Sequence, residues 1–266
     1  MKRVKRNKRR GIYLLPNLIT SASLYCGFYS ILSSIAGNYY KASVLILLSI
    51  LFDAMDGRIA RLTNSTSRFG VEYDSLSDLV AFGVAPAILV YYWSLQGMGK
   101  IGSVAAFIFL VCGALRLARF NTQSGNPQQG DNFTGLPIPG GAGVVASLVI
   151  FSHELNLFSA SHKIELFVFV NVVSFLMVST IKYPAFKSLN LTSARPFHVL
   201  VTVILLLLPI LYHPEIMMFF LFVCYAFVGP FFRQITKAVN YIIQTPNKQK
   251  TIGSEEREKI DTIGHL

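Results

Sequence analysis

Apolar runs of bilayer-crossing length recur along this chain, and no other feature restricts its fold as much. A helix needs about 20 residues to traverse the ~30 Å hydrocarbon core of a membrane. Eight segments approach or meet that length: residues 13–36, 42–62, 71–95, 101–121, 138–153, 164–183, 197–212 and 216–235, of which the fifth and seventh are short. With 53% hydrophobic and only 14% charged residues, the chain falls outside the range of ordinary soluble domains. The expected fold is all-α, a polytopic membrane helix bundle of about eight transmembrane helices.

An even number of spans returns the chain to the side on which it began, and the basic residues choose that side. Of the 24 Lys and Arg residues, 21 fall on one face: seven in "MKRVKRNKRR", eight in the connections on that face and six from Arg233 onward. The opposite connections hold Lys41, Lys100 and Lys163. Basic residues gather on the cytoplasmic face, so both termini are expected there, in a protein of the cytoplasmic (inner) membrane. The division that follows is a basic N-terminus over residues 1–12, a membrane domain over 13–237 and a polar cytoplasmic tail over 238–266. The net charge of +11 is then a topology signal and a mild attraction to anionic headgroups, and nucleic acid is not an expected partner. Cys26, Cys112 and Cys224 fall in different spans, which argues for buried thiols and against a disulfide framework or a zinc site.

Against this apolar background stands "FDAMDGRIARLTNSTSRFGVEYDSLSD", residues 52–78, with four of the chain's six aspartates. Asp53 and Asp56 lie near the cytoplasmic end of the second span. Their i, i+3 spacing puts both carboxylates on one helix face, about 4.5 Å apart along the axis. Asp74 and Asp78 open the third span at i, i+4. A cytoplasmic turn joins the two helices, so all four carboxylates sit at similar depth. Four like charges at a membrane surface are costly unless something neutralises them. One or two divalent cations would do so, and an all-oxygen ligand set suits Mg²⁺ or Mn²⁺.

The neighbouring residues extend that reading. Gly57 and Ala60 continue the Asp53 face with almost no side chain, leaving room for a ligand against the backbone, and Gly70 clears the same space from the other helix. Arg61 lies at the membrane surface, where a guanidinium can hold phosphate oxygens in a bidentate way. The chemistry implied is phosphoryl-type transfer at the bilayer surface. A divalent-cation transporter built on the same carboxylates is the reading from another class; it has no use for Gly57, Ala60 and Arg61, and the chain shows no internal repeat.

The full pattern, Asp53-x-x-Asp56-Gly57-x-x-Ala60-Arg61, eight residues, Gly70-x-x-x-Asp74-x-x-x-Asp78, resembles the signature of the CDP-alcohol phosphotransferases at all eight fixed positions. The resemblance implies a homodimeric helical membrane enzyme that moves a substituted phosphate from a CDP-linked donor to an alcohol and releases CMP. It further implies that Asp53, Asp56 and Asp74 ligate metal, that Asp78 ligates metal or acts as general base, and that Gly57, Ala60, Arg61 and Gly70 line the nucleotide and diphosphate pocket.

Four further segments, "PNLITSASLYCGFYSI", "RLARFN", "FTGLPIPGGAG" and "YPAFKSL", resemble the phosphatidylserine synthase branch of that family. This implies CDP-diacylglycerol as donor, L-serine as acceptor and phosphatidylserine as product. Related phosphatidylglycerol-type enzymes often carry a basic residue soon after "PN"; here the run is Ser21, Ala22, Ser23, which favours a small acceptor over glycerol phosphate or an inositol compound. A serine carboxylate needs a cation or several N–H donors near it. Arg119 in "RLARFN", Lys187 in "YPAFKSL" and Lys182 are the expected partners, with the backbone of "GLPIPGGAG" as the alternative.

Overall fold

A computed structural model of the chain describes residues 14–63, 65, 67–123, 133–155, 163–183, 213–229 and 231. Seven long helices run through them: α1 (Leu14–Ile35), α2 (Tyr39–Leu62), α3 (Arg68–Trp93), α4 (Lys100–Gln123), α5 (Ile138–Leu155), α6 (Lys163–Val178) and α7 (Pro214–Gly229). Four of them, α1, α3, α4 and α5, are long and apolar enough to cross a membrane. The 24 residues of α2 would also reach across, but the helix carries the charged "DAMDGRIAR" at its end, and α6 with 16 residues and α7 are shorter. The expected seventh span, residues 197–212, lies outside the described residues, as do residues 1–12 and 238–266. Apart from helix there is one two-residue antiparallel pairing, β1 (Phe133–Thr134) with β2 (Lys182–Tyr183).

Several helices turn large apolar side chains outward, as helices facing lipid do. On α1, Leu15, Leu18, Tyr25, Phe28, Leu32 and Ile35 are exposed, while Thr20, Ser23, Ser30 and Ser34 are buried. Likewise α4 turns Ile101, Val104 and Phe107 outward, and α6 turns Ile164, Val168 and Phe175 outward. Lipid is as apolar as leucine, so helices in a bilayer gain by bringing small and hydroxyl-bearing residues together. Ser23 and Ser49 do this between α1 and α2: their hydroxyls are 2.7 Å apart, and each lies within 3.1 Å of the other's carbonyl. Ser30 donates to the Ala42 carbonyl farther along the same seam.

Gly27 sets the distance between α1 and α3. A Cβ there would stand 2.6 Å from the Ala81 Cα, so the two backbones touch directly. Gly27→Val is expected to cost about 1–3 kcal/mol through overpacking, read as a lower midpoint of thermal unfolding in detergent. An unchanged midpoint would mean that this approach does not hold the helices.

Within α3 the α-helix of Arg68–Asp78 gives way to a π-helical turn at Leu79–Val84 and resumes at Ala85. A π turn adds a residue to the helical repeat and is found mostly as single turns at functional sites. Ala81, Phe82 and Gly83 are all buried in it, which assigns Phe82 to the core rather than to an interfacial aromatic belt. The three cysteines are free and lie on α1, α4 and α7; Cys26 is buried, Cys112 half-buried, and Cys224 is exposed on the apolar surface of α7.

"GLPIPGGAG" is a packing element. Gly135 turns the chain at φ +81°, a conformation that favours glycine. Its N–H donates to the Ile181 carbonyl at 2.8 Å, and the Leu136 N–H donates to the Leu176 carbonyl at 3.1 Å, so both are committed to the end of α6. Gly141 and Gly143 then let α5 lie against Met177 and the Phe222 ring.

Candidate active site

Three helices and one turn build the site. The C-terminal third of α2 presents Asp53, Asp56, Gly57, Ala60 and Arg61, and the start of α3 presents Gly70, Asp74 and Asp78. Between them the chain reverses tightly. Thr63 closes α2 through its N–H to the Ile59 carbonyl at 2.9 Å, and the Ser65 N–H reaches the Ala60 carbonyl at 3.0 Å. Ser67 then caps α3, its Oγ accepting the Gly70 N–H at 3.0 Å. The capping serine satisfies one of the donors that a helix start leaves open, which fixes the entry of the Asp74 helix relative to α2. From α1, Thr20 donates to Asp56 Oδ2 at 2.7 Å and Ser77 donates back to the Thr20 carbonyl at 3.2 Å, so α1 indexes both acidic helices.

Asp53, Asp56 and Asp74 each offer a carboxylate oxygen within 4.8 Å of the others. Asp78, one helical turn after Asp74, lies outside that group of three and within hydrogen-bonding reach of Asp53. Two of the triad, Asp56 and Asp74, border a cavity of about 210 Å³ that is lined also by Pro16, Asn17 and Thr20 of α1, Gly57, Ala60 and Arg61 of α2, Ser65 and Ser67 of the turn, and Gly70 and Val71 of α3. The space in front of Gly57 is open, whereas a Cβ at Gly70 would stand 3.3 Å from Asn17 Oδ1. Arg61 is exposed at the mouth, its Nε donating to the Gly57 carbonyl at 2.9 Å, which leaves its terminal nitrogens toward the cavity edge.

The residues fit a hard cation. Asp74 Oδ1 is buried and has no hydrogen-bond partner, a costly state for a carboxylate oxygen unless a positive charge completes it. Three such groups on facing helices form an oxygen-only donor set of the kind that Mg²⁺ or Mn²⁺ accepts together with substrate phosphates.

The family model of the CDP-alcohol phosphatidyltransferases matches residues 13–231, most of the chain. The chain belongs to this family. Among its relatives, the CDP-diacylglycerol–serine O-phosphatidyltransferase of Helicobacter pylori is 38% identical over 179 residues, 67% of this chain and 75% of the relative. The protein of that name from Bacillus subtilis is 38% identical over 184 residues, 68% of this chain and 97% of the relative. An archaetidylserine synthase of Methanothermobacter thermautotrophicus is 39% identical over 182 residues, 68% of this chain and 73% of the relative. The printed names differ in the lipid and agree on serine.

Of the cations expected near the acceptor, Arg119 is partly committed: its Nη1 donates to the Val178 carbonyl at 2.9 Å and approaches that of Ser179 at 3.4 Å, at the end of α6. Lys182 contributes backbone to the short pairing with Thr134; its side chain and all of Lys187 lie outside the described residues. The residue that sequence reasoning passed over is Arg116. It is 7% exposed and its Nε has no hydrogen-bond partner. A signal for it was present: the buried face of α4 runs through Gly102, Ala105, Ala106, Phe109 and Gly113, and the same spacing continues to Arg116 and Leu117.

Proposed function

We propose that this membrane protein transfers the phosphatidyl group of CDP-diacylglycerol to L-serine, forming phosphatidylserine and CMP. The observation that carries the reading is the convergence of Asp53, Asp56 and Asp74, the last two at the wall of a cavity that Gly57 leaves open. The names of the relatives support serine as acceptor. The first helix supports it as well: Ser21 is hydrogen-bonded to the Tyr73 hydroxyl at 2.8 Å and Ser23 to Ser49, so the positions after "PN" serve packing and offer no cation to a phosphorylated acceptor.

In the proposed mechanism the nucleotide enters beside Gly57, Ala60 and Gly70, with Arg61 at the diphosphate, and the acyl chains remain in lipid. Asp53, Asp56 and Asp74, with Asp78 next to them, would hold one or two Mg²⁺ or Mn²⁺ ions. A cation bound there neutralises the diphosphate and draws charge from the phosphorus under attack. Asp78 takes the proton of the serine hydroxyl as that oxygen bonds to the phosphorus bearing diacylglycerol. The bond from this phosphorus to the CMP oxygen breaks, and CMP leaves with the bonding pair. Positioning and charge neutralisation supply most of the acceleration, as in other phosphoryl transfers. Arg119, Lys182 and Lys187 are the further cations that the sequence offers to the acceptor's carboxylate.

The same reading gives the membrane domain, residues 13–237, eight spans with both flanking segments cytoplasmic, and it places the site at the cytoplasmic face of the inner membrane. The charge asymmetry of the connections supports that orientation, and the family resemblance supports a homodimer. Purified protein in lipid–detergent micelles, given CDP-diacylglycerol, Mg²⁺ or Mn²⁺ and a panel of alcohols, should release CMP with L-serine and only weakly with glycerol phosphate or inositol. CMP release that ignores serine would reject the reading, and ion flux without CDP-lipid would favour a transporter.

A further inference from the structure

We propose that Arg116 is the anchor for the acceptor's carboxylate and so selects a carboxylated alcohol over an uncharged one. The proposal rests on the serine-transfer reading above and names the residue that enforces it.

Position comes first. Gly113 brings α4 against the π turn of α3, where a Cβ on Gly113 would lie 4.0 Å from the Gly83 Cα. The two helices are antiparallel neighbours joined by a short connection. One turn farther along α4 therefore comes level with the residues that precede the π turn, which puts Arg116 opposite Asp78. The electrostatics agree, since the Asp78 carboxylate is among the groups whose field acts on the guanidinium.

Chemistry comes second. The Phe120 ring lies 5.2 Å from the guanidinium carbon and covers one face of it. Stacking on an aromatic face leaves the edge of a guanidinium free, and that edge is a planar fork matched to a carboxylate. A buried Nε–H with no acceptor is costly until a ligand supplies one. L-Serine carries its hydroxyl and its carboxylate on a three-carbon frame, so a base for the one and an anchor for the other must be neighbours. The register of α4 on α3 brings Arg116 to the level of Asp78, whereas Arg119 spends its Nη1 on the carbonyls that end α6.

The experiment uses full-length protein in lipid–detergent micelles and follows CMP release with L-serine and with serinol, in which a hydroxymethyl group replaces the carboxylate. Arg116→Gln should raise the serine KM roughly 10- to 100-fold, the loss of a charge-assisted hydrogen-bond pair, and should reduce the preference for serine over serinol by a similar factor. The KM for CDP-diacylglycerol should stay within about threefold, because uniform loss of acceptor binding does not touch the donor. An unchanged serine-to-serinol ratio overturns the assignment, and so does a donor KM that rises as much as the serine KM. If Arg116→Gln does not fold, Arg116→Lys decides, since it keeps the charge but not the fork; an intermediate ratio supports the anchor and a wild-type ratio rejects it. A wild-type protein with no serine-dependent CMP release rejects the underlying reading instead.

Discussion

Replacing Asp78 with Asn is expected to slow turnover by about 10² to 10⁴, the range for loss of a general base, while leaving metal-dependent binding of CDP-diacylglycerol largely intact. The separation of roles follows from placement. Asp53, Asp56 and Asp74 bring their oxygens within 4.8 Å of one another, and Asp78 lies beside that group against Asp53. Asparagine keeps the shape of the side chain and loses the capacity to take a proton. Single-turnover CMP release at saturating donor and serine measures the chemical step, and donor binding measured separately tests the cluster. Asn at position 53, 56 or 74 should instead weaken donor binding. Near-wild-type turnover in Asp78→Asn would move the base elsewhere.

Removal of divalent cations should abolish CMP release altogether, and Mg²⁺ or Mn²⁺ should restore it. The donor brings a diphosphate to a cluster of three carboxylates, two of them at the cavity wall and one with a buried oxygen that no protein group satisfies. Negative charge on both sides leaves no bound state without a counter-charge. A second readout avoids activity: a cation that binds only the folded protein raises its unfolding midpoint with concentration, and Asp74→Asn should blunt that rise. Full activity in excess EDTA would end the metal reading.

The acidic motif was legible because its spacing is local. The end of α2, one reversal and the first turns of α3 supply Asp53, Asp56 and Asp74 from a single short stretch of sequence, with α1 added as the strut between them. Among the described residues, seven of the eight expected spans coincide with helices, read from the length of the apolar runs, and four of those helices are long and apolar enough to cross a membrane. Their ends were less legible. The third span was expected from residue 71, but Ser67 caps the helix and starts it at Arg68. The sixth was expected to reach residue 183, yet α6 stops at Val178, and Lys182–Tyr183 pairs with Phe133–Thr134 from a segment about 50 residues away. Tyr183 precedes a proline, a position that disfavours helix.

Long-range choices were not legible. "RLARFN" offers two arginines three residues apart, and only the packing of α4 says that one is buried with its Nε unpartnered and the other bonds to a helix end. In the same way Ser21 and Ser23 read as the absence of a basic residue, while in the fold they are the hydroxyls that hold α1 to its neighbours.

The π turn at Leu79–Val84 acts as a phase shifter in α3. Each residue of an α-helix advances about 100° around the axis, so one residue absorbed by the wider turn rotates everything after it by about that angle relative to a regular helix. The aspartate half and the apolar half of α3 can therefore be aimed independently, one at the polar cavity and the other at its packing partners. It follows that a single amphipathic wheel drawn through residues 68–93 assigns wrong faces to one half or the other, and that the orientation of Asp74 and Asp78 is encoded partly by the number of residues in the turn behind them, whatever their identities.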